Sequence, residues 1–319
     1  MTQLTLMEKA AKHWTPDRIR KLTGGKKLLI DPLHGAQLLR SLGLLNTDAS
    51  MPADCVRKYL QINHMVAQLS KSILQLSERF DEVRILDCGC GNSYLTFLLA
   101  WCLKNSWHKT AKITGIDARV DVIERASQRA RELGLQDFLH FEKTTVQDFS
   151  VEREKRLTIE ERKVNRYHLV VALHACDTAT DDSIAFAFVE KADVVAVAPC
   201  CQAELANKWR QLAAEQFKSA LSVLINSPEL RRDSCSTFTD AMRVLLLRGQ
   251  GYEVTTTEFV PSNHTPKNRL ILAHRRGNYQ EAAIREYVEL RNALGAGITL
   301  DQQLTDEAAE ILRKSSAQT

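Results

Sequence analysis

Between residues 54 and 80, apolar side chains return every three or four positions: Tyr59, Ile62, Val66, Leu69, Ile73, Leu76 and Phe80. That period lays them along one stripe and predicts a long amphipathic helix. Asp54, following Pro52, is the expected cap of its start. A polar row of Lys58, Gln61, His64 and Gln68 runs down another face. The row is a solvated face, or its first turn overhangs a ligand cleft, which makes Lys58 and Gln61 candidate substrate contacts.

Beyond residue 80 the pattern shortens. Apolar runs at 83–87, 111–117, 138–144, 167–176 and 192–201 read as strands, and residues 93–104 and 119–133 as helices. Asn92 or Ser93 is the expected cap of the first of these helices. The runs "YHLVVALHAC" and "ADVVAVAPCC" are almost continuously apolar, as suits central parallel strands covered on both faces. The densely charged stretch 152–166 reads as a loop or an exposed helix. Helices are expected at 204–224, 238–248, 279–294 and 305–314, and late strands at 252–260 and 268–275. The alternation predicts an α/β fold: an open, mostly parallel sheet with helices on both faces.

Composition narrows the class. The chain has 319 residues, 44% apolar and 26% charged, ordinary values for a soluble globular protein. It contains no eighteen-residue apolar run, and its start lacks a basic segment followed by an apolar core. A cytoplasmic protein without membrane contact is therefore expected. Eight cysteines in a chain of this length point to free thiols, ligands or nucleophiles rather than a disulfide scaffold.

The net charge is +4, but residues 1–27 carry seven Lys or Arg against Glu8 and Asp17, a local +5, which leaves the remainder near −1. A basic arm on a near-neutral body suits a polyanion such as RNA, or is a solvated, partly mobile terminus.

The candidate chemistry begins at "ILDCGCGNSYLTF" (85–97), where a strand runs through a glycine turn into a helix. Ligands of open α/β sheets sit at the carboxyl ends of strands. Gly89 and Gly91 permit a tight bend and a close backbone approach. A dinucleotide site would want a third small residue three places after Gly91, and Tyr94 stands there. Asp87 beside the turn would repel a pyrophosphate and attract an ammonium or sulfonium. S-adenosylmethionine has both cations and no phosphate, and is the expected cofactor. Asp117, ending the second strand, can accept from both ribose hydroxyls. Gln147 and Asp148 in "TTVQDF" can meet the adenine edge or cap a loop.

The fourth strand ends in His174-Ala175-Cys176-Asp177 and the fifth in Pro199-Cys200-Cys201-Gln202. If these strands neighbour the first, their ends share its crevice. His174 is a candidate base, or it orients the cofactor or seals the strand end. Cys200 and Cys201 are core packing or, for Cys201, a covalent nucleophile. A metal site from Cys88, Cys90, His174, Cys176 and Cys200 has unfamiliar spacing, and no metal is expected. "HTPKNRLI" is a hairpin or loop that orders the sheet edge, or it carries His264 as a further catalytic candidate and Lys267 and Asn268 as candidate substrate contacts.

"ILDCGCGNSYLTF", "ALHACD", "APCCQ" and "HTPKNRLI", in this order, resemble the methyltransferase-domain family. That family is shared by the methyltransferase-like proteins labelled rRNA adenine dimethylase-domain proteins, by glutathione S-transferase C-terminal domain-containing proteins and, more distantly, by tRNA methyltransferases of the Trm-thirteen type. The resemblance covers about residues 50–276. It implies a Rossmann-like class I methyltransferase fold, with seven strands and the last antiparallel. It also implies cofactor binding by Asp87, Gly89, Gly91 and Asp117, with His174 near the methyl; Cys88, Asn92, Gln147, Asp148 and His174 complete the expected cofactor set. The tRNA enzymes carry Leu-Cys-Gly after their histidine where this chain has Ala175-Cys176-Asp177, so their specific activity does not carry over.

The expected organisation is a basic N-terminal extension (1–50), a methyltransferase domain (51–276) and a helical C-terminal extension (277–319). The expected function is methyl transfer from S-adenosylmethionine to tRNA or rRNA. The alternatives are a protein or small-molecule methyltransferase and a non-catalytic cofactor-binding assembly factor.

Overall fold

The computed structural model describes residues 4–173, 175, 177–199, 202–215, 219–258 and 269–317. The chain divides into two compact units, Met1–Thr144 and Thr145–Thr319.

The first unit opens with α1 (Leu6–His13), α2 (Pro16–Thr23) and α3 (Ala36–Ser41). Thr5 caps α1 in a reciprocal box with Glu8, and Thr15 caps α2 ahead of Pro16. Trp14 is buried and donates its indole N–H to the Ala49 carbonyl at 2.9 Å. The basic N-terminal stretch is therefore a folded segment, anchored by Trp14, and not a mobile terminus. Its cations Lys12, Arg18, Arg20, Lys21, Lys26 and Lys27 remain exposed.

The long helix forms as α4 (Ala53–Arg79). Tyr59, Ile62, Val66, Leu69, Ile73 and Leu76 are all buried. Pro52, not Asp54, occupies the cap position; Asp54 lies in the first turn, where it faces the positive helix end. The Tyr59 hydroxyl donates to the Ile30 carbonyl at 2.7 Å, and the Asn63 side chain bonds both the N–H and the carbonyl of Ile30. These bonds tie α4 to the N-terminal segment.

Next come β1 (Val83–Cys88), α5 (Tyr94–Trp101) with a π-helical turn over Cys102–Ser106, β2 (Ala111–Asp117), α6 (Val120–Glu132) and β3 (Leu139–Lys143). β1, β2 and β3 pair in parallel, with Asp87 opposite Gly115 and Asp117 opposite Lys143. A Cβ on Gly115 would stand 2.7 Å from the Phe141 ring and 3.2 Å from Cys90 Sγ, so the strand needs glycine there.

The second unit begins with α7 (Val146–Arg156) and α8 (Ile159–Val164). The charged stretch is thus two helices, each capped by a threonine, Thr145 and Thr158. β4 (Leu169–Ala172), α9 (Thr178–Glu190) and β5 (Val194–Val197) follow, both strands wholly buried. Then come α10 (Glu204–Ala214), α11 (Ser222–Asn226), α12 (Pro228–Gly249), β6 (Tyr252–Glu258), β7 (Arg269–Arg275), α13 (Glu281–Leu294), a 3-10 turn at Thr299–Gln303 and α14 (Asp306–Ala317). The helix expected at 204–224 is therefore two helices, and the one expected at 238–248 is the second half of a longer one.

The strands form a seven-stranded, mostly parallel sheet in the order β3-β2-β1-β4-β5-β7-β6, with the last strand, β7, antiparallel to β5 and β6. This is the Rossmann-like class I arrangement that the resemblance implied. Among the described residues no helix is long and apolar enough to cross a membrane.

Candidate functional site

Within the first unit the expected cofactor turn is built from three left-handed residues in five positions: Gly89 (φ 65°), Gly91 (φ 53°) and Ser93 (φ 57°). Two bonds fasten the turn to β2. Cys90 N–H donates to the Ile116 carbonyl, and Gly91 N–H to Asp117 Oδ2, both at 2.9 Å. Ser93 holds the cap position of α5 but makes no side-chain cap; its hydroxyl turns back to Gly91 O at 3.2 Å. The helix start is set by this turn rather than by Asn92, whose side chain is exposed.

Asp87 is 4% exposed and accepts a 2.6 Å hydrogen bond from Thr96 Oγ1. Burial pushes its carboxyl up to about 7 against that bond, and the charge on Asp117 adds to the rise. Among the described residues it has no cationic partner. A buried acid lacking a counter-ion beside a backbone bend matches the ammonium of S-adenosylmethionine, so the donor set fits the cofactor.

Asp117 has the reverse balance. Burial raises it, but hydrogen bonds from Arg119 and Gly91 and the Arg119 charge prevail and hold it below the usual carboxylate range. The Arg119 guanidinium lies 3.1 and 3.3 Å from its two oxygens, on a side chain that is 63% exposed. A ribose at Asp117 would displace that exposed guanidinium and leave the bonds from Gly91 N–H and Arg119 N–H in place. Asp117→Ala is expected to weaken S-adenosylhomocysteine binding by about 1.5–3 kcal/mol, read by calorimetry; unchanged affinity would remove Asp117 from the ribose role.

Lys58 sits beside the same turn. Its ammonium donates to the Tyr94 hydroxyl at 2.7 Å and lies 3.9 Å from that ring's centroid, at the first turn of α5. Gln61, one turn along α4, is half-buried. Cys88 and Cys90 are buried, and burial pushes the Cys90 thiol up to about 12. Cys90 is therefore a packed thiol at neutral pH and not a nucleophile. No group of three or more His, Cys, Asp or Glu among the described residues is placed to hold a metal.

In the second unit, Gln147 and Asp148 lie in the first turn of α7 rather than in a loop. Asp148 accepts from Thr145 Oγ1 at 2.8 Å, and Gln147 Nε2 donates to Asp182 Oδ2 at 2.6 Å. His174, Cys176, Cys200, Cys201, His264, Lys267 and Asn268 lie outside the described residues.

Asp177 and Gln202, the last residues of the two motifs, belong to a charged network. Asp177, in a conformation unusual for a non-glycine residue (φ 54°, ψ −121°), accepts from the N–H groups of Ala203 and Glu204 at 2.9 and 3.0 Å. The acid after the fourth strand thereby caps the helix after the fifth. Arg243 on α12, 1% exposed, bonds Asp181 Oδ1 at 2.7 Å and the Asp177 carbonyl at 3.0 Å, and faces Asp240 at 3.5 Å. Gln202 joins through Asp240 at 2.6 Å, and Arg269 through the other Asp240 oxygen at 2.6 Å.

Sequence reasoning missed Thr96, Arg119, Asp181, Asp240 and Arg243. The signal for the last three was charge inside apolar helical patterns, "ATDDSIAFAF" and "FTDAMRVLLL", since an ion in a buried face requires a partner.

Residues 57–208 match the family described as a methyltransferase domain. A mouse glutathione S-transferase C-terminal domain-containing protein is 25% identical over 248 residues, 72% of this chain and 34% of its own length. The human protein of that name is 25% identical over 244 residues, 70% of this chain and 34% of its own. The chain thus spans about a third of the length of these relatives. Among solved structures, a Synechocystis magnesium protoporphyrin IX methyltransferase with bound S-adenosylhomocysteine is similar at 16% identity and TM-score 0.38, over 76% of this chain and 94% of that one. A Podospora anserina methyltransferase, also with S-adenosylhomocysteine, has 11% identity and TM-score 0.43, over 86% and 99%. The family match spans the glycine turn, both acidic strand ends and both cysteine-bearing segments: residues 57–208 of this chain match a methyltransferase domain.

Proposed function

We propose that this chain transfers the methyl group of S-adenosylmethionine to an RNA, a tRNA or an rRNA. The observation that carries the acceptor class is the exposed basic face of the N-terminal segment. Arg18, Arg20 and Lys21 on α2, with Lys26 and Lys27 just beyond it, face solvent, with Asp17 the only acid in that run. Cations fixed on a folded helix meet a phosphate backbone at a lower entropic cost than cations on a mobile arm.

The bound cofactor supplies an already activated methyl on a sulfonium. The chain's work is then positioning. Asp87 takes the ammonium, the Gly89–Gly91 turn brings backbone against the cofactor, and Asp117 takes the ribose. An in-line approach and exclusion of water supply the rate. For a hydroxyl acceptor, His174 is the proposed base; Cys201 and His264 are the other catalytic candidates. Lys58, Gln61, Lys267 and Asn268 are proposed to contact the acceptor.

The test is incubation of the purified chain with tritiated cofactor and fractionated RNA and protein from cells lacking the gene. Label in an RNA fraction supports the reading. Label confined to protein or to small molecules overturns it, as does cofactor binding with no transfer at all.

A further inference from the structure

A basic cavity of about 490 Å³ opens at the amino-terminal ends of β4 and β5, opposite the strand ends that lead to Asp177 and Gln202. Its cations come from separate stretches of chain. Arg162 and Lys163 reach it from α8, Arg166 from the link into β4, Lys191 from the link into β5, and Arg275 from the end of antiparallel β7. Charges along one helix face are an ordinary solvated surface. Charges converging from four places repel one another at short range and need a reason to be together.

The acids nearby do not supply it. Glu190, the one acid in the lining, is taken up by Arg153, which meets its two oxygens at 2.9 and 3.1 Å, and by Tyr167 N–H at 3.0 Å. Asp193 is held by Arg166 at 2.7 Å, and Arg162 faces Glu154 at 3.5 Å. Lys163, Lys191 and Arg275 are exposed and have no acidic partner among the described residues. Ile159 and Val189, 58% and 42% exposed, offer an apolar rim.

We propose that this cavity is a second anchoring site for the phosphate backbone of the acceptor RNA; this rests on the RNA reading above. The three unpartnered cations face the phosphates, and the rim takes sugar or base faces. Four-residue strands separate the cavity from the loops bearing Asp177 and Gln202, roughly 13 Å at 3.3 Å per residue. One nucleotide does not reach from cavity to loop, whereas a polynucleotide of several residues does. A small-molecule acceptor would leave the cavity unused.

The experiment compares the full-length chain with a variant carrying Lys163→Glu, Lys191→Glu and Arg275→Glu. Binding to bulk tRNA and to single-stranded RNA is followed by fluorescence anisotropy from roughly 50 to 200 mM salt. The wild-type chain should weaken steeply with salt. The variant should lose at least about tenfold in affinity at low salt, and its log–log slope should flatten by about two to three, at 0.7–0.9 per phosphate contact. Its uptake of S-adenosylhomocysteine should be unchanged, which also reports an intact fold. Lys163→Arg, Lys191→Arg with Arg275→Lys should keep the wild-type slope. The single reversal Lys191→Glu, on an exposed side chain, decides if the triple variant takes up no cofactor product. If the wild-type chain binds RNA and the reversed variant keeps its slope, the cavity is not an RNA site while the RNA reading stands. If the wild-type chain shows no salt-dependent RNA binding, both fall.

Discussion

Replacing Arg243 by methionine is expected to lower the free energy of unfolding by about 3–5 kcal/mol, the loss seen when one partner of a buried ion pair is removed. Arg243 is 1% exposed and its guanidinium serves Asp181, Asp240 and the Asp177 carbonyl. Without it, Asp181 keeps its burial and loses its counter-charge, while Asp240 keeps only Arg269. Burial already pushes Asp181 up to about 6 against the pull of Arg243, so the variant should drive it higher still. A carboxyl whose folded-state pKa is raised costs nothing below its unfolded value and destabilises progressively as pH rises through the folded one. The loss should therefore be greater at pH 8 than at pH 5. Urea unfolding at both values measures it. A variant that also carries Asp181→Leu and Asp240→Asn should recover most of the difference, because no buried charge is then stranded. A wild-type midpoint for Arg243→Met would show that the network contributes no stability.

Asp87→Asn is expected to act in opposite directions on stability and on binding. Asp87 is buried and pushed up to about 7, so the cofactor-free protein holds a poorly solvated carboxylate above that pH. An asparagine oxygen can still accept from Thr96 and carries no charge. At pH 8 the substitution should stabilise the cofactor-free chain by something on the order of 2–4 kcal/mol. At pH 5, where the native carboxyl is already protonated, most of that advantage should vanish. Affinity for S-adenosylhomocysteine should fall about 10- to 100-fold, the worth of a hydrogen bond to a charged group. In the wild-type chain, affinity should likewise decline as pH drops below 7. Thermal melts with and without ligand at the two pH values read both effects. Equal affinity in the variant would remove Asp87 from the ammonium role. The pair of outcomes is the signature of a residue whose folded-state cost is offset by its ligand.

The regular elements are legible in the sequence because their signals are local and strong. The α4 stripe and the alternation of β1, α5, β2 and α6 fall within a few residues of the expected bounds. Where structure and expectation part, a tertiary contact overrides a local preference. Asp54 follows a proline that takes the cap position itself, and the turn into α5 is fixed by Asp117, twenty-odd residues away, rather than by a neighbouring side chain. The cofactor turn and its two acids stand out because closely spaced glycines after an apolar strand, with an acid at its end, rarely serve packing alone. The partners of those acids do not stand out: nothing in the local pattern pairs Thr96 with Asp87, or sends the Asp177 carboxylate to the start of α10. The N-terminal basic run leaves a binding arm and a mobile terminus equally open in the sequence for a related reason. Its charges are evident in the sequence, but the single tryptophan that anchors it is an isolated apolar residue until Ala49 is seen to receive its indole.

The attachment of α4 to Ile30 bears on where the catalytic core can be cut. The family match starts at residue 57, and an expression boundary drawn there would discard the carbonyl that receives the Tyr59 hydroxyl and the amide that Asn63 holds. It would also remove Ile30, Leu38 and Leu39, all fully buried. A boundary that keeps these bonds therefore lies ahead of Ile30, upstream of the homology region.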